Sequence, residues 1–259
     1  MLYVVLGAVA IGLVLGLLGS GGSILTVPVL VYLAGQPDKA AIAESLAIVG
    51  VIALVGAASY ARQRLVDWRA VLGLGVPGVV GTYGGAALAA YVSGAVQLAA
   101  FGIVMLVAAG AMMRGRPEAE GADRAVPSPW AFTAAGVALG LVTGFVGVGG
   151  GFLIVPALVL MVGLDMRRAV GTSLSVVVLN SAVGFVKHLD VLAEIGGAVD
   201  WQVIGVFSAV GVAGALVGSR VGRYVPQAAL RRGFAVFVVV MGLFVLWNEV
   251  PVAFAEAGG

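Results

Sequence analysis

Two glycine-rich stretches, Gly19-Ser20-Gly21-Gly22-Ser23 and Gly147-Val148-Gly149-Gly150-Gly151, each interrupt an apolar run too long for one bilayer crossing and too short for two. The runs cover roughly residues 3–33 and 130–163, whereas one helical crossing takes about 20 residues. Glycine weakens a helix and permits left-handed backbone, so each stretch reads as a break inside a membrane helix.

The breaks occur twice because the chain is duplicated. Gly16 to Leu46 matches Gly144 to Leu174 at a constant offset of 128, carrying Gly19, Gly21, Gly22, Val27, Pro28, Ser45 and Leu46 onto Gly147, Gly149, Gly150, Val155, Pro156, Ser173 and Leu174. After an insertion near Asp190 to Gly197 the offset becomes 133, where Asp67-Trp68 matches Asp200-Trp201, and Gly78, Gly81 and Gly85 match Gly211, Gly214 and Gly218. Each half carries four apolar segments, at roughly 3–33, 40–60, 70–91 and 96–113, then 130–163, 166–186, 201–221 and 233–248. Residues 1–113 form the first repeat, 114–129 a polar linker, and 130–259 the second repeat.

Charged residues are only 10% of the chain, far below the ~25% of a soluble domain, so most of the surface faces hydrocarbon. The basic residues are scattered, which excludes a nucleic-acid patch and assigns them to membrane edges. Cysteine is absent, removing disulfides, thiol nucleophiles and thiolate metal sites. No cation precedes Lys39, so the first segment is expected to remain in the mature protein and not to act as a signal peptide. Neither glycine run is a nucleotide loop: Ile24 and Phe152 stand where a third glycine would, and no Gly-Lys-Ser/Thr follows. No cofactor and no metal are expected.

Positive charge selects the topology. If the first segment of each half crosses fully, Lys39, Arg167, Arg168, Arg220, Arg223, Arg231 and Arg232 face Arg62, Arg64, Arg69, Arg114, Arg116, Arg124 and Lys187 across the membrane, seven against seven. If each is a re-entrant hairpin, all twelve arginines share one face and only Lys39 and Lys187 lie opposite. The second distribution obeys the positive-inside rule. It predicts an all-α membrane protein of two inverted-topology repeats, each a glycine-broken re-entrant helical hairpin plus three transmembrane helices. The linker is then cytoplasmic and both termini outside.

Inverted repeats with broken helices are a transporter design, with the substrate at the breaks near the midplane. The N–H groups that open Ile24–Pro28 and Phe152–Pro156 would point into the membrane interior and suit an anion. The candidate substrate-binding residues are therefore Gly19, Ser20, Gly21, Gly22, Ser23, Gly147, Gly149, Gly150 and Gly151, with Ser45, Thr172, Ser173 and Asn180 from the following segments. The competing reading gives these glycines to helix packing alone, as is expected for Gly81, Gly85, Gly214, Gly218 and Gly222 at small-xxx-small spacing. For Ser45, Thr172 and Ser173 the alternative is a bond to their own helix backbone. Asn180 is either an interhelical tie or a ligand. Glu44 is either solvated at the outer interface or a buried proton carrier. Lys187 and His188 are either an exposed interfacial pair or a pH-sensitive gate at the outer mouth. Asp67 and Asp200 are expected to cap the spans that Trp68 and Trp201 anchor at the interface.

The repeated glycine turn followed by proline, the run Ala169-Val170-Gly171-Thr172-Ser173-Leu174, and the pairs Asp67-Trp68 and Asp200-Trp201 resemble the TauE/SafE family of sulfite and organosulfonate exporters, over residues 5 to 248. The resemblance implies export of a small sulfur-containing anion across the bacterial inner membrane, at the glycine turns, Ser45, Thr172, Ser173 and Asn180. The halves differ where Ala43-Glu44 replaces Gly171-Thr172 and where Ser20 and Ser23 replace Val148 and Gly151, so the implied site is only pseudo-symmetric.

The expected function is a secondary transporter working by alternating access, not an enzyme. An anion channel would use the same donors without coupling, and a structural membrane subunit would bind no anion. An intramembrane serine protease would need Ser20 within hydrogen-bond reach of His188, which lies at the outer end of its segment.

Overall fold

The computed structural model describes residues 7, 9, 11, 12, 23–113, 129–221 and 227–257, and among them every regular element is helical. Helix α1 spans Ser23–Pro28 and continues as a π-helical stretch, Val29–Leu33. Helix α2 is Asp38–Arg62. Helix α3 comprises Trp68–Ala70, a π stretch Val71–Gly75 and Val76–Leu88, and closes on a 3-10 turn, Ala89–Tyr91. Then follow α4 (Gly94–Met113), α5 (Pro129–Val146), α6 (Gly151–Ala157 with a π stretch Leu158–Val162), α7 (Met166–Glu194), α8 (Trp201–Val221) and α9 (Gln227–Ala257). Among the described residues four stretches are long and apolar enough to cross a bilayer: Asp38–Arg62, Trp68–Tyr91, Arg167–Glu194 and Val238–Ala255. The chain is a multi-pass membrane protein.

Local chemistry sets the element boundaries. Asp67, Asp165 and Asp200 each accept two backbone N–H groups of the turn that follows, which makes all three N-caps. Asp165 is a third cap beyond the two expected. Pro28 and Pro156 lie inside helices, and a π stretch follows each directly. A proline lacks the N–H and crowds the preceding turn, and local widening accommodates it. Helix α7 runs on to Glu194, past the expected end near 186, because His188, Val191 and Leu192 are all buried and keep one apolar face in register.

Helices α2 and α7 form the centre and run antiparallel. Leu46 fills the space beside Gly184, Ser181 lies against Gly50, Leu174 fills the space beside Gly56, and Tyr60 meets Gly171. Helices α3 and α5 run parallel with backbones in contact: Gly136 meets Leu74, Gly140 meets Gly78 and Gly144 meets Thr82. A side chain at Gly81 or Gly85 would overlap the carbonyl of Val137 or Leu141, so both serve helix packing as expected. Lipid offers helices no hydrophobic drive to associate, and contacts this close supply van der Waals attraction instead. Helices α4 and α9 run antiparallel, with Gly102 against Leu246 and Gly242 against Leu106. Tyr32 joins α1 to α9 by donating to Glu249 Oε1 at 2.7 Å.

These contacts divide the described charges between the two ends of the bundle. Gly171 packs on Tyr60 and Leu65, and Asp67 N donates to Thr172, so Arg167 and Arg168 share an end with Arg62, Arg64 and Arg69. At the other end Lys39 donates to the carbonyls of Ala89 and Val92, and Lys187 pairs with Asp190 at 3.9 Å. Exposed aromatic residues mark both ends, Trp68 and Trp130 with the arginines, Tyr91 and Trp201 with the lysines.

Candidate polar site at the helix break

Between α5 and α6 the helix is broken over residues 147–150, and two glycines turn the chain with left-handed φ, Gly147 at +74° and Gly150 at +73°. A Cβ at Gly147 would run into Ile42, and one at Gly150 into Thr143. Between them Gly149 packs on Val49 and Val177, with Ser181 Oγ 2.9 Å from where its Cβ would stand. Val49 and Ser181 are the midpoints of the two longest central helices, so the break lies at mid-height.

A helix that ends in the protein interior leaves carbonyls that need donors. Three other helices supply them. His188 Nε2 bonds Gly144 O at 2.8 Å, Gln97 Nε2 donates to Phe145 O at 2.6 Å, and the single Ser45 Oγ proton is shared between Gly147 O and Ile42 O. On the far side of the break Ser173 Oγ donates to Gly151 O at 3.3 Å. The carbonyls of Gly144, Phe145, Gly147 and Gly151 are thus engaged by side chains of other helices.

Several buried polar atoms are left without a partner, amide oxygens as well as hydroxyls, and Gln97 Oε1 is one of them. Asn180 and Ser181 are each 1% exposed, and Asn180 Oδ1 and Ser181 Oγ have no hydrogen-bond partner. The Asn180 amide faces the backbone of Gly78, with its two polar atoms 3.1 and 3.3 Å from the Cβ position there. Thr26 and Thr82, and Ser208 on α8, are also buried with unpartnered hydroxyls. Unpaired polar groups in a membrane interior are costly and mark function by default.

Of the residues singled out from sequence, Gly147, Gly149, Gly150, Gly151, Ser45 and Ser173 come together at the break, while Asn180 faces Gly78 of α3. Thr172 lies at the arginine end, where its Oγ1 accepts from Asp67 N at 2.9 Å. Glu44 lies toward the lysine end, fully buried and not solvated, with Oε1 accepting from Asp200 N at 2.8 Å. His188 is 2% exposed, so it is no exposed interfacial residue, while Lys187 Nζ reaches out over the Tyr83 ring at 5.5 Å. Ser23 is buried at the start of α1, and Gly19, Ser20, Gly21 and Gly22 lie outside the described residues. Gln97, Thr82, Thr143 and Ser181 were missed in the sequence, although each is a lone polar residue in an apolar segment. A cavity of about 270 Å³ opens at the lysine end between Asp38, Lys39, Gly94, Leu192 and Ile195, away from the break.

The sequence is similar to known proteins. The profile of the family described as sulfite exporter TauE/SafE matches residues 4–245. A probable membrane transporter protein of Xylella fastidiosa is 30% identical over 245 residues, covering 92% of each chain. The probable membrane transporter protein YunE of Bacillus subtilis is 29% identical over 268 residues, covering 93% of this chain and 91% of its own. No solved structure matches.

Proposed function

This chain belongs to the sulfite exporter TauE/SafE family and is a membrane transporter, and we propose that it exports a small sulfur-containing anion, sulfite or an organosulfonate, by alternating access around the break. One observation carries the reading: at mid-height the buried Ser181 hydroxyl stands against Gly149 of the break with no hydrogen-bond partner. A free hydroxyl has a proton to donate, and an anion accepts it. Neutral donors can bind it without a buried lysine or arginine, whose desolvation is expensive. The site comprises Gly147, Gly149, Gly150, Gly151, Ser45, Ser173 and Asn180, with Gly19 to Ser23 as its first-repeat counterpart. Glu44, His188 and Lys187 are the groups available for coupling or gating. The bonds that Ser45 and Ser173 give to the break hold it closed in this conformation, and exchanging a carbonyl for the anion releases it.

The architecture we infer is two inverted repeats, 1–113 and 130–259, joined by a cytoplasmic linker at 114–129, in the bacterial inner membrane with both termini outside. Matching elements support it. Leu46 beside Gly184 and Leu174 beside Gly56 are equivalent contacts at the offset of 128, made across antiparallel helices. Gly12 packs on Gly211 as Gly140 packs on Gly78. Gly35 and Gly163, also equivalent, turn with φ of +69° and +74°. Helix α5 leaves the arginine end and α7 starts there, so the broken segment between them is read as a re-entrant hairpin.

A thermal-stability screen of purified protein against sulfite, sulfoacetate, taurine, sulfate, phosphate, acetate and chloride at matched ionic strength tests the function. Selective, saturable stabilisation by a sulfur anion, about 2.7 kcal/mol at a hundredfold excess over Kd, is expected. Equal shifts for all anions would overturn it.

A further inference from the structure

The two repeats pack alike but are not filled alike at mid-height. Ile52 of α2 sits over Gly211, with its Cγ1 3.2 Å from the Cβ position. At the offset of 128, Ile52 corresponds to Asn180, and at the offset of 133, Gly211 corresponds to Gly78, the residue that Asn180 covers. The same slot therefore holds an aliphatic side chain in one repeat and an amide with an unpartnered oxygen in the other. The next pair differs in the same sense: Ala53 in the first repeat, Ser181 in the second. Ala53 is fully buried, so the fold closes at this position without a hydroxyl.

Ser181 differs from Ser175, Thr143 and Ser45 and, of the unpartnered hydroxyls, is the one that stands against Gly149. A serine or threonine inside a helix usually returns its proton to a carbonyl one turn back. Ser175 does so to Gly171 O at 3.1 Å, Thr143 to Gly140 O at 3.0 Å and Ser45 to Ile42 O at 2.9 Å. Ser181 Oγ has no partner, is sealed from solvent, and stands against Gly149 in the middle of the break. Packing requires neither the Ser181 hydroxyl nor the Asn180 amide, since Ala53 and Ile52 fill the equivalent places.

We propose that Ser181 is a direct ligand of the transported anion and that, with Asn180, it makes the binding site one-sided: a single anion per chain, bound against the second repeat's break. This rests on the anion-transport reading above and adds to it a ligand residue and a stoichiometry. The Ser181 proton is donated to an anion oxygen. Ile52 and Ala53 offer no donor, so no second site forms at the symmetric position.

Isothermal titration of the purified full chain with sulfite and with sulfoacetate, paired with melting curves of the anion-free protein, tests this. Wild type is expected to bind one anion per chain. Ser181→Ala is expected to weaken binding at least tenfold while the anion-free melting temperature stays the same or rises, because the alanine reproduces position 53. Ala53→Ser, a control outside the site, is expected to bind as wild type does. Unchanged affinity in Ser181→Ala, a melting temperature that falls along with affinity, or two anions per chain would each overturn the proposal while leaving anion transport standing. Absence of any binding by wild type would remove both.

Discussion

Glu44 in the first repeat accepts the backbone N–H of Asp200, the residue that caps α8 in the second repeat, at 2.8 Å. Thr172, the counterpart of Glu44, accepts the N–H of Asp67, the counterpart of Asp200, at 2.9 Å. Each repeat thus fastens a helix start of the other, one bond at each end of the bundle. Thr172→Val keeps the shape and removes the acceptor. It is expected to cost about 1 kcal/mol, the net worth of an ordinary hydrogen bond. Glu44→Gln keeps the Oε1 acceptor and is expected to leave stability within about 0.5 kcal/mol. Because the two bonds lie at opposite ends, Glu44→Leu combined with Thr172→Val should sum the single effects within about 0.5 kcal/mol. Melting in detergent measures all of these, and strong non-additivity would contradict independent fasteners.

The chain contains no cysteine, so single introduced cysteines report sidedness directly. Gln63 is exposed at the arginine end and Ile195 is 62% exposed at the lysine end. With the arginines facing the cytoplasm, Ile195→Cys is expected to react with a membrane-impermeant maleimide in intact cells. Gln63→Cys should react only after permeabilisation. The reverse pattern would invert the orientation, and labelling of both from one side would contradict the antiparallel packing of α2 on α7.

Glycine and proline carried most of what the sequence revealed. A left-handed turn beside a close contact, as at Gly147 against Ile42, admits almost no other residue, so the break is visible in the residues that form it. The caps Asp67 and Asp200 were visible for the same reason: the requirement is local. The partners of Thr172 and Glu44 were not visible, because 105 and 156 residues separate acceptor from donor and only the packing of α2 on α7 brings them together. Ser181 escaped notice because a serine in a membrane helix commonly bonds its own backbone, and only the structure reveals that this one does not.

The break is also where substitution is least tolerated. Gly147→Ala combines a left-handed φ, which costs an L-residue about 1–2 kcal/mol, with a clash against Ile42. Overpacking adds about 1–3 kcal/mol, so a total near 2–5 kcal/mol is expected. Gly150→Ala meets Thr143 at a φ of +73° and should behave alike. Gly196 has a φ of +70° but nothing within 4 Å of its Cβ position, so Gly196→Ala should cost only the conformational share, about 1–2 kcal/mol. Equal losses at all three positions would mean that the break is not tightly packed.

Asn180→Ile separates packing from function most sharply. Isoleucine already covers the equivalent glycine in the first repeat, so the fold accommodates the shape. The substitution removes a buried amide oxygen with no partner, a group whose desolvation costs about 1–3 kcal/mol. An interhelical tie would lose stability on this change. A residue kept for transport would gain about 1–2 kcal/mol in stability and lose its role. The expected result is therefore a melting temperature a few degrees above wild type, with uptake or release of radiolabelled sulfite in proteoliposomes reduced at least tenfold. A lowered melting temperature with retained flux would make Asn180 a structural tie and leave the anion site to the unpartnered hydroxyls, Ser181, Thr26, Thr82 and Ser208.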